Sequence, residues 1–356
     1  MGERLVTIRE GEVYRDPAGR WTIRPYRPGD EVAILNLFRR VFGVDRSLEH
    51  WRWKFQHNPV GRHIRLAENS SGVLVAQYAG LPALMKWAET TVVATQIIDV
   101  MVDPGFRQGL KRPGLFARLA SHFIEGYEGA DRVSVGYGFP TPLALRIGRE
   151  VAGYTPLHPV VGLVRDLGQA GPKESGLPRG KEGPPWNARL FRIEAVDRFG
   201  QEIDRLWELV SPELAVATIR TARYLNWRYA DCPDVRYHKL VAVHRLSGAV
   251  AAVAILRLGV REQPVAALVD WLMPSRSAAA AAALMACCEE MAREAGMDRL
   301  EAWFPSYTWP YRFLLTRGFR PEPTSYSLVA LSGNPVVSLD WAKDRWYYTM
   351  GDSDIY

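Results

Sequence analysis

The chain has 356 residues, 47% of them hydrophobic and 24% charged, a balance that supports a buried core and excludes a disordered or low-complexity class. Its 45 Lys and Arg exceed its 39 Asp and Glu by a net +6, scattered without a long basic run, which fits an anionic ligand better than nucleic acid. Three cysteines, Cys232, Cys287 and Cys288, cannot build a disulfide framework and point to a reducing, cytoplasmic compartment.

The opening stretch MGERLVTIREGEVYRDPAGRW carries charge where a secretory signal needs an apolar core. WTIRPYR then predicts a short strand, and GDEVAILNLFRRVFG a helix with Asp30 as its N-terminal cap. WKFQHNPVGRHIRLA follows from Trp53. Its histidines, His57 and His63, with His50 upstream, share no helical face and have no cysteine beside them, so no metal site is expected. The Trp segment reads as structural, bracing the first helix. A meander of strands leads to IIDVMVDP, an alternating strand that carries Asp99.

That strand continues into DVMVDPGFRQGLKRPGLFARLA. A strand entering a helix through glycines presents free backbone N–H groups at a positive helix end, and Arg107, Lys111 and Arg112 crowd the same bend. Such a junction holds phosphates, and the long amphipathic helix after it suggests a phosphorylated cofactor. The helix is predicted to start at Gly114, with Pro113 suited to a helix beginning. Beyond it, RVSVGYGFP predicts a strand, LALRIGREVAGY a helix closing on Gly153-Tyr154, and HPVVGLVRDL a final strand.

The second half repeats this order. WRYADCPDVRYHKLV from Trp227 matches the Trp53 segment, LVDWLMP places Asp270 opposite Asp99, and RLEAWFP places Phe304-Pro305 opposite Phe139-Pro140. The stretch GQAGPKESGLPRGKEGPP, half Gly and Pro, is a linker. The expected organisation is therefore an N-terminal domain over 1–167, a linker over 168–187, a degenerate copy over 188–332 and an aromatic tail over 333–356 that packs back on a domain. The longest apolar run, Ala278 to Cys288, is too short for a membrane span and reads as a buried helix.

This arrangement, with its phosphate-cradling loop and Gly-aromatic ending, resembles the GNAT superfamily of acyl-CoA N-acyltransferases, once per half. The resemblance implies an α+β fold of two tandem GNAT-like domains, each a mixed, mostly antiparallel sheet flanked by helices. It further implies acetyl-CoA as acyl donor and an amine acceptor, with no metal, nucleic acid or membrane partner. In the family the loop amides hold the CoA pyrophosphate, and the strand before them pairs with the pantetheine arm. On this chain the cofactor positions become Met101, Val102, Arg107, Gln108, Gly109, Lys111, Arg112, Pro113, Gly114 and Leu115. The match is imperfect, since Phe116 fills the loop's final small position.

After Pro274 the second half reads SRSAAAAAALMACC, with no glycine, and is expected to have lost CoA binding. Asp99, on a partly buried strand where a carboxyl pKa would rise, is the expected general base. The family's frequent tyrosine acid is missing from the helix before Gly153, leaving Tyr154 or Tyr137 as candidates in its place, with direct release of the thiolate or a water as the alternatives. An aminoacyl transferase of the Fem type and a non-catalytic CoA-responsive protein are the competing readings.

Overall fold

The computed structural model describes residues 13–107, 114–127, 133–168, 189–334 and 336–356. The first half runs β1 (Tyr14–Arg15), β2 (Trp21–Pro25), α1 (Glu31–Phe42), α2 (Leu48–Trp51), β3 (His63–Asn69), β4 (Leu74–Trp87) and β5 (Thr90–Val102), then α3 (Leu115–Tyr127), β6 (Val133–Gly138), α4 (Pro142–Ala152) and β7 (Thr155–Asp166). After the linker come β8 (Phe191–Ala195), α5 (Glu202–Val210), β9 (Val216–Thr218), α6 (Ala222–Leu225), β10 (Tyr237–His244), β11 (Val250–Leu258) and β12 (Val265–Leu272). The chain closes with α7 (Ala278–Glu294), β13 (Arg299–Trp303), α8 (Trp309–Thr316), β14 (Arg320–Leu331), α9 (Leu339–Ala342) and β15 (Trp346–Tyr347). Among the described residues, no helix is long and apolar enough to cross a membrane.

Two units result, and neither is one continuous stretch. Unit one holds the residues up to Met85, Thr91–Pro159 and Ser325–Lys343; unit two holds Lys86–Thr90, Val160–Thr324 and Asp344–Tyr356. In unit one, β5 and β6 run parallel, and Val329–Leu331 of β14 pair antiparallel with Gly136–Gly138 of β6. In unit two, β12 and β13 run parallel, and Gly162–Asp166 of β7 pair antiparallel with Arg299–Trp303. Each unit therefore takes a strand from the far side of the linker, unlike the contiguous division at 167 and 188 read from the sequence. Alternation announces a strand and its buried face, but it does not name the neighbouring strand.

The sheet of unit one is covered on both faces. On one face α3 buries Leu115, Leu119 and Phe123 against Trp21, Ile23 and Tyr78. On the other, Ile34, Leu37 and Phe38 of α1 pack with Trp51, Phe55, Ile64 and Leu66. The Trp segment thus braces the first helix, as its pattern predicts. Asp30 departs from expectation. Its side chain makes no cap hydrogen bond to α1 and instead accepts both ends of the Arg24 guanidinium at 2.8 Å.

Both units build the Trp segment alike. Ser47 and Thr221 cap α2 and α6, which widen into π turns over Arg52–Gln56 and Asn226–Ala230. In unit two this turn meets the C-terminal tail. Tyr348 and Met350 are fully buried, and the buried Arg220 bridges Asp270 (2.8 Å) and Asp352 (2.6 Å). Tyr229 donates to the other Asp270 oxygen at 2.8 Å, and Arg228 donates to the carbonyls of Ser353 and Tyr356. The tail's acid thus closes an internal ion network. Breaking one partner of such a buried network leaves an uncompensated charge. Arg220→Leu should therefore lower the unfolding free energy by about 3–5 kcal/mol, measured as a shifted urea transition.

Candidate active site

Strict alternation would put Ile97, Asp99 and Met101 of β5 on one face. They are not. Ile97, Val100 and Val102 pack against the α3 cluster, while Ile98 and Met101 belong to the α1 cluster. The extra residue is Asp99, whose φ of 46° marks a bulge. The buried Gln77 holds the bulge by donating its Nε2 to the Asp99 carbonyl at 3.0 Å.

Parallel pairing of β5 with β6 ends at Gln96–Tyr137, although β5 runs on to Val102. β6 ends at Gly138, so past that point the bulged edge of β5 runs on without it, leaving an opening along that edge. A 3-10 turn over Pro104–Phe106 follows, with Asp103 accepting from Gly105 N–H at 3.1 Å. Arg107 folds back to donate its Nε to the Val102 carbonyl at 3.0 Å. Gln108, Gly109, Lys111, Arg112 and Pro113 lie outside the described residues. The helix resumes as expected, with the Gly114 carbonyl accepting from Arg118 N–H at 3.1 Å and Leu115 opening α3. Met101 is 1% exposed in the α1 cluster, so only its backbone is placed to meet a ligand in the opening.

Asp99 corrects the expectation of a raised pKa. Burial pushes its carboxyl up, but the charges of Lys54 and Arg46, with their hydrogen bonds, outweigh burial and hold it at about 2. Lys54 Nζ stands 3.4 Å away, Arg46 grips both oxygens, and the Arg46 guanidinium lies 3.9 Å above the Phe38 ring. A carboxylate so held is a poor proton acceptor near neutral pH. The sequence reading missed both partners. The available signal was spacing: Arg46 stands seven residues before Trp53 and Arg220 seven before Trp227, and each Arg meets its half's strand acid.

Tyr154 belongs to the opposite, α3-facing cluster, so the two proposed catalytic residues are not brought together. Its ring lies over Gly148, where a Cβ would collide with it, and its hydroxyl meets that of Tyr78 at 2.7 Å. Burial raises the Tyr154 pKa, the hydrogen bond with Tyr78 partly offsets this, and the result is about 12. Tyr78 is fully buried and lifted well above the usual phenol range, first by burial and then by Tyr154. The two hydroxyls share one hydrogen bond, in which either can be the donor. Nothing in the spacing of the sequence pointed to Tyr78.

A family profile described as an acetyltransferase (GNAT) domain matches residues 22–152, the segment that carries the bulged strand, the loop and Gly148. Residues 22–152 belong to the GNAT superfamily. The GNAT-like architecture also appears in solved structures at low identity. A conserved protein of unknown function from Enterococcus faecalis, described as a probable N-acyltransferase, superposes with a TM-score of 0.59 at 12% identity, covering 88% of this chain and 73% of its own. A GCN5-related N-acetyltransferase from Anabaena variabilis gives 0.59 at 11%, covering 87% and 72%. Saccharomyces cerevisiae N-myristoyltransferase, solved with bound myristoyl-CoA, gives 0.53 at 13%, covering 88% and 78%. No curated protein matches the chain.

The depressed Asp99 pKa has a measurable consequence for this GNAT domain. A carboxyl lowered in the folded state stabilises it above the unfolded pKa near 4, and that stability is lost as the pH falls through 4 toward 2. Wild type should lose about 2 kcal/mol more than Asp99→Asn between pH 5 and pH 2. Urea transitions at stepped pH measure the difference, and parallel losses would contradict the ion-pair assignment.

Proposed function

We propose that unit one is an acyl-CoA-dependent N-acyltransferase that moves acetyl from acetyl-CoA to a primary amine by direct attack. The observation that carries this reading is the opening between β5 and β6. It is floored by a bulged strand edge, with Arg107 on one side of residues 108–113 and the start of α3 on the other. Extended backbone there offers ladder groups to the amides of a pantetheine arm, and the helix start with its basic loop suits a pyrophosphate.

In this reading the amine lone pair attacks the thioester carbonyl, the C–S bond breaks, and the ammonium proton leaves to water. Tyr154, protonated throughout the physiological range, donates a hydrogen bond to the departing thiolate. This assigns Tyr78 as the donor in the hydrogen bond the two hydroxyls share, which supports that polarisation. Asp99 is assigned a positioning role, fixing Arg46, Lys54 and the bulge, in place of the general base expected from the sequence. The reading of the halves as a duplicated unit is supported by their matching caps, π turns and Arg–Asp pairs.

Calorimetry should give one acetyl-CoA site per chain, and Lys111→Glu with Arg112→Glu should weaken it at least tenfold, each phosphate contact being charge-assisted. Thiol release with a panel of amines should show turnover, and Tyr154→Phe should lower kcat roughly tenfold or more with little change in acetyl-CoA affinity. Two equal CoA sites would remove the asymmetry between the units. Tight binding without turnover of any amine would favour a CoA-responsive binding protein.

A further inference from the structure

Unit two contains a cavity of about 400 Å3, a size typical of small-molecule sites. It lies where β12 and β13 part after pairing ends at Leu268–Ala302, so Trp271 at the end of one strand and Tyr307 and Trp309 beyond the other form its walls. Those walls are already fixed. The Tyr307 hydroxyl donates to the Trp346 carbonyl at 2.8 Å, and the Trp309 ring stacks on Phe313 at 5.0 Å and 18°. The Tyr347 hydroxyl donates to the Trp271 carbonyl at 2.8 Å, tying the floor to the wall.

The charges at this cavity do not suit a phosphate. Glu213 and Asp344 line it, and neither has an ion-pair partner among the described residues; Glu213 accepts one hydrogen bond, from Ser275 N–H at 2.8 Å. The segment Pro274–Ser277 before α7 contains no glycine to expose backbone amides. Arg312 and Arg345 also line the space, and Arg312 turns its guanidinium to the Tyr307 carbonyl at 3.1 Å. Aromatic walls beside unpaired carboxylates recognise a cation with an apolar body, through the ring faces and through charge.

We propose that this cavity binds a primary ammonium group carried on an aromatic or apolar body, such as an arylalkyl amine. The site is distinct from the opening in unit one and does not depend on the acyl-transfer reading. Titration calorimetry of the full chain with phenethylamine, phenethyl alcohol and phenylacetate tests it. Phenethylamine should bind saturably, the alcohol at least tenfold more weakly, and phenylacetate not at all.

The double variant Glu213→Gln, Asp344→Asn, both at exposed positions, should weaken phenethylamine at least tenfold while leaving the thermal transition unchanged. Trp309→Phe, which keeps a ring on Phe313, should retain binding, and Trp309→Ala should lose it. The proposal fails if phenethylamine does not saturate by a few millimolar. It also fails if phenylacetate binds equally, or if the amine binds the double variant as well as wild type. The last result would place the amine elsewhere in the chain.

Discussion

A carboxylate buried in the middle of a strand must be paired, because an isolated charge there costs several kcal/mol. Both units are arranged around that demand. In unit one the Asp99 side chain is 7% exposed and draws in Arg46, just ahead of α2, and Lys54 from the Trp segment. In unit two the Asp270 side chain is 3% exposed and draws in Arg220 and Tyr229 from the corresponding segment. Because Arg46 and Arg220 stand just ahead of the caps of α2 and α6, and Lys54 and Tyr229 lie in the π turns that follow, the pairing also sets where that stretch lies on the sheet. The packing of α1 follows, since Trp51 and Phe55 belong to the cluster that buries it.

The same demand is met differently, and the difference bears on what each unit can do. Unit two closes its acid completely. Arg220 has no exposed side-chain surface, and its second carboxylate, Asp352, comes from the tail, with Thr349 donating into the same group. Arg228, the counterpart of Lys54, is spent on tail carbonyls. In unit one Arg46 and Lys54 both pair with the single acid Asp99, and Arg46 keeps 16% of its side chain exposed. Those two cations hold the Asp99 pKa down and keep the carboxylate ionised as a fixed anchor. A proton relay would require the opposite balance.

Much of this was legible in the chain. Strand and helix order, the start of α3 at Gly114, the Ala-rich α7 and the bracing role of the Trp segment all follow from local pattern. Four things did not. The exchange of β7 and β14 between units was hidden because period-2 alternation is the same whichever neighbour a strand pairs with. The bulge was hidden because IIDVMVDP alternates acceptably without it, and only the distribution of Ile97, Ile98 and Val100 between two clusters reveals the extra residue. The Asp99 pKa was misjudged because burial was weighed alone, while the outcome depends on Arg46 and Lys54, more than forty residues upstream. Tyr78 had no signal at all, since its partnership with Tyr154 exists only after α4 returns its Gly-Tyr corner to the sheet.

The bulge itself separates the two units. A non-glycine residue at φ 46° is strained by about 1–3 kcal/mol and persists only where its surroundings over-determine it. Asp99 meets that condition three times over: Gln77 grips its carbonyl, and Arg46 and Lys54 grip its carboxylate. Unit two also breaks register between Ile255 and Leu256, opposite the same stretch of β12, yet Asp270 is not among the residues with positive φ. Its irregularity is relaxed. A strained strand acid found in one unit and not in the other is not a requirement of this arrangement, since both units pair their two strands in parallel up to shortly before that acid. It is confined to the strand edge that the acyl-transfer reading uses, and there it turns consecutive side chains to opposite cores while keeping the backbone between them at the floor of the opening.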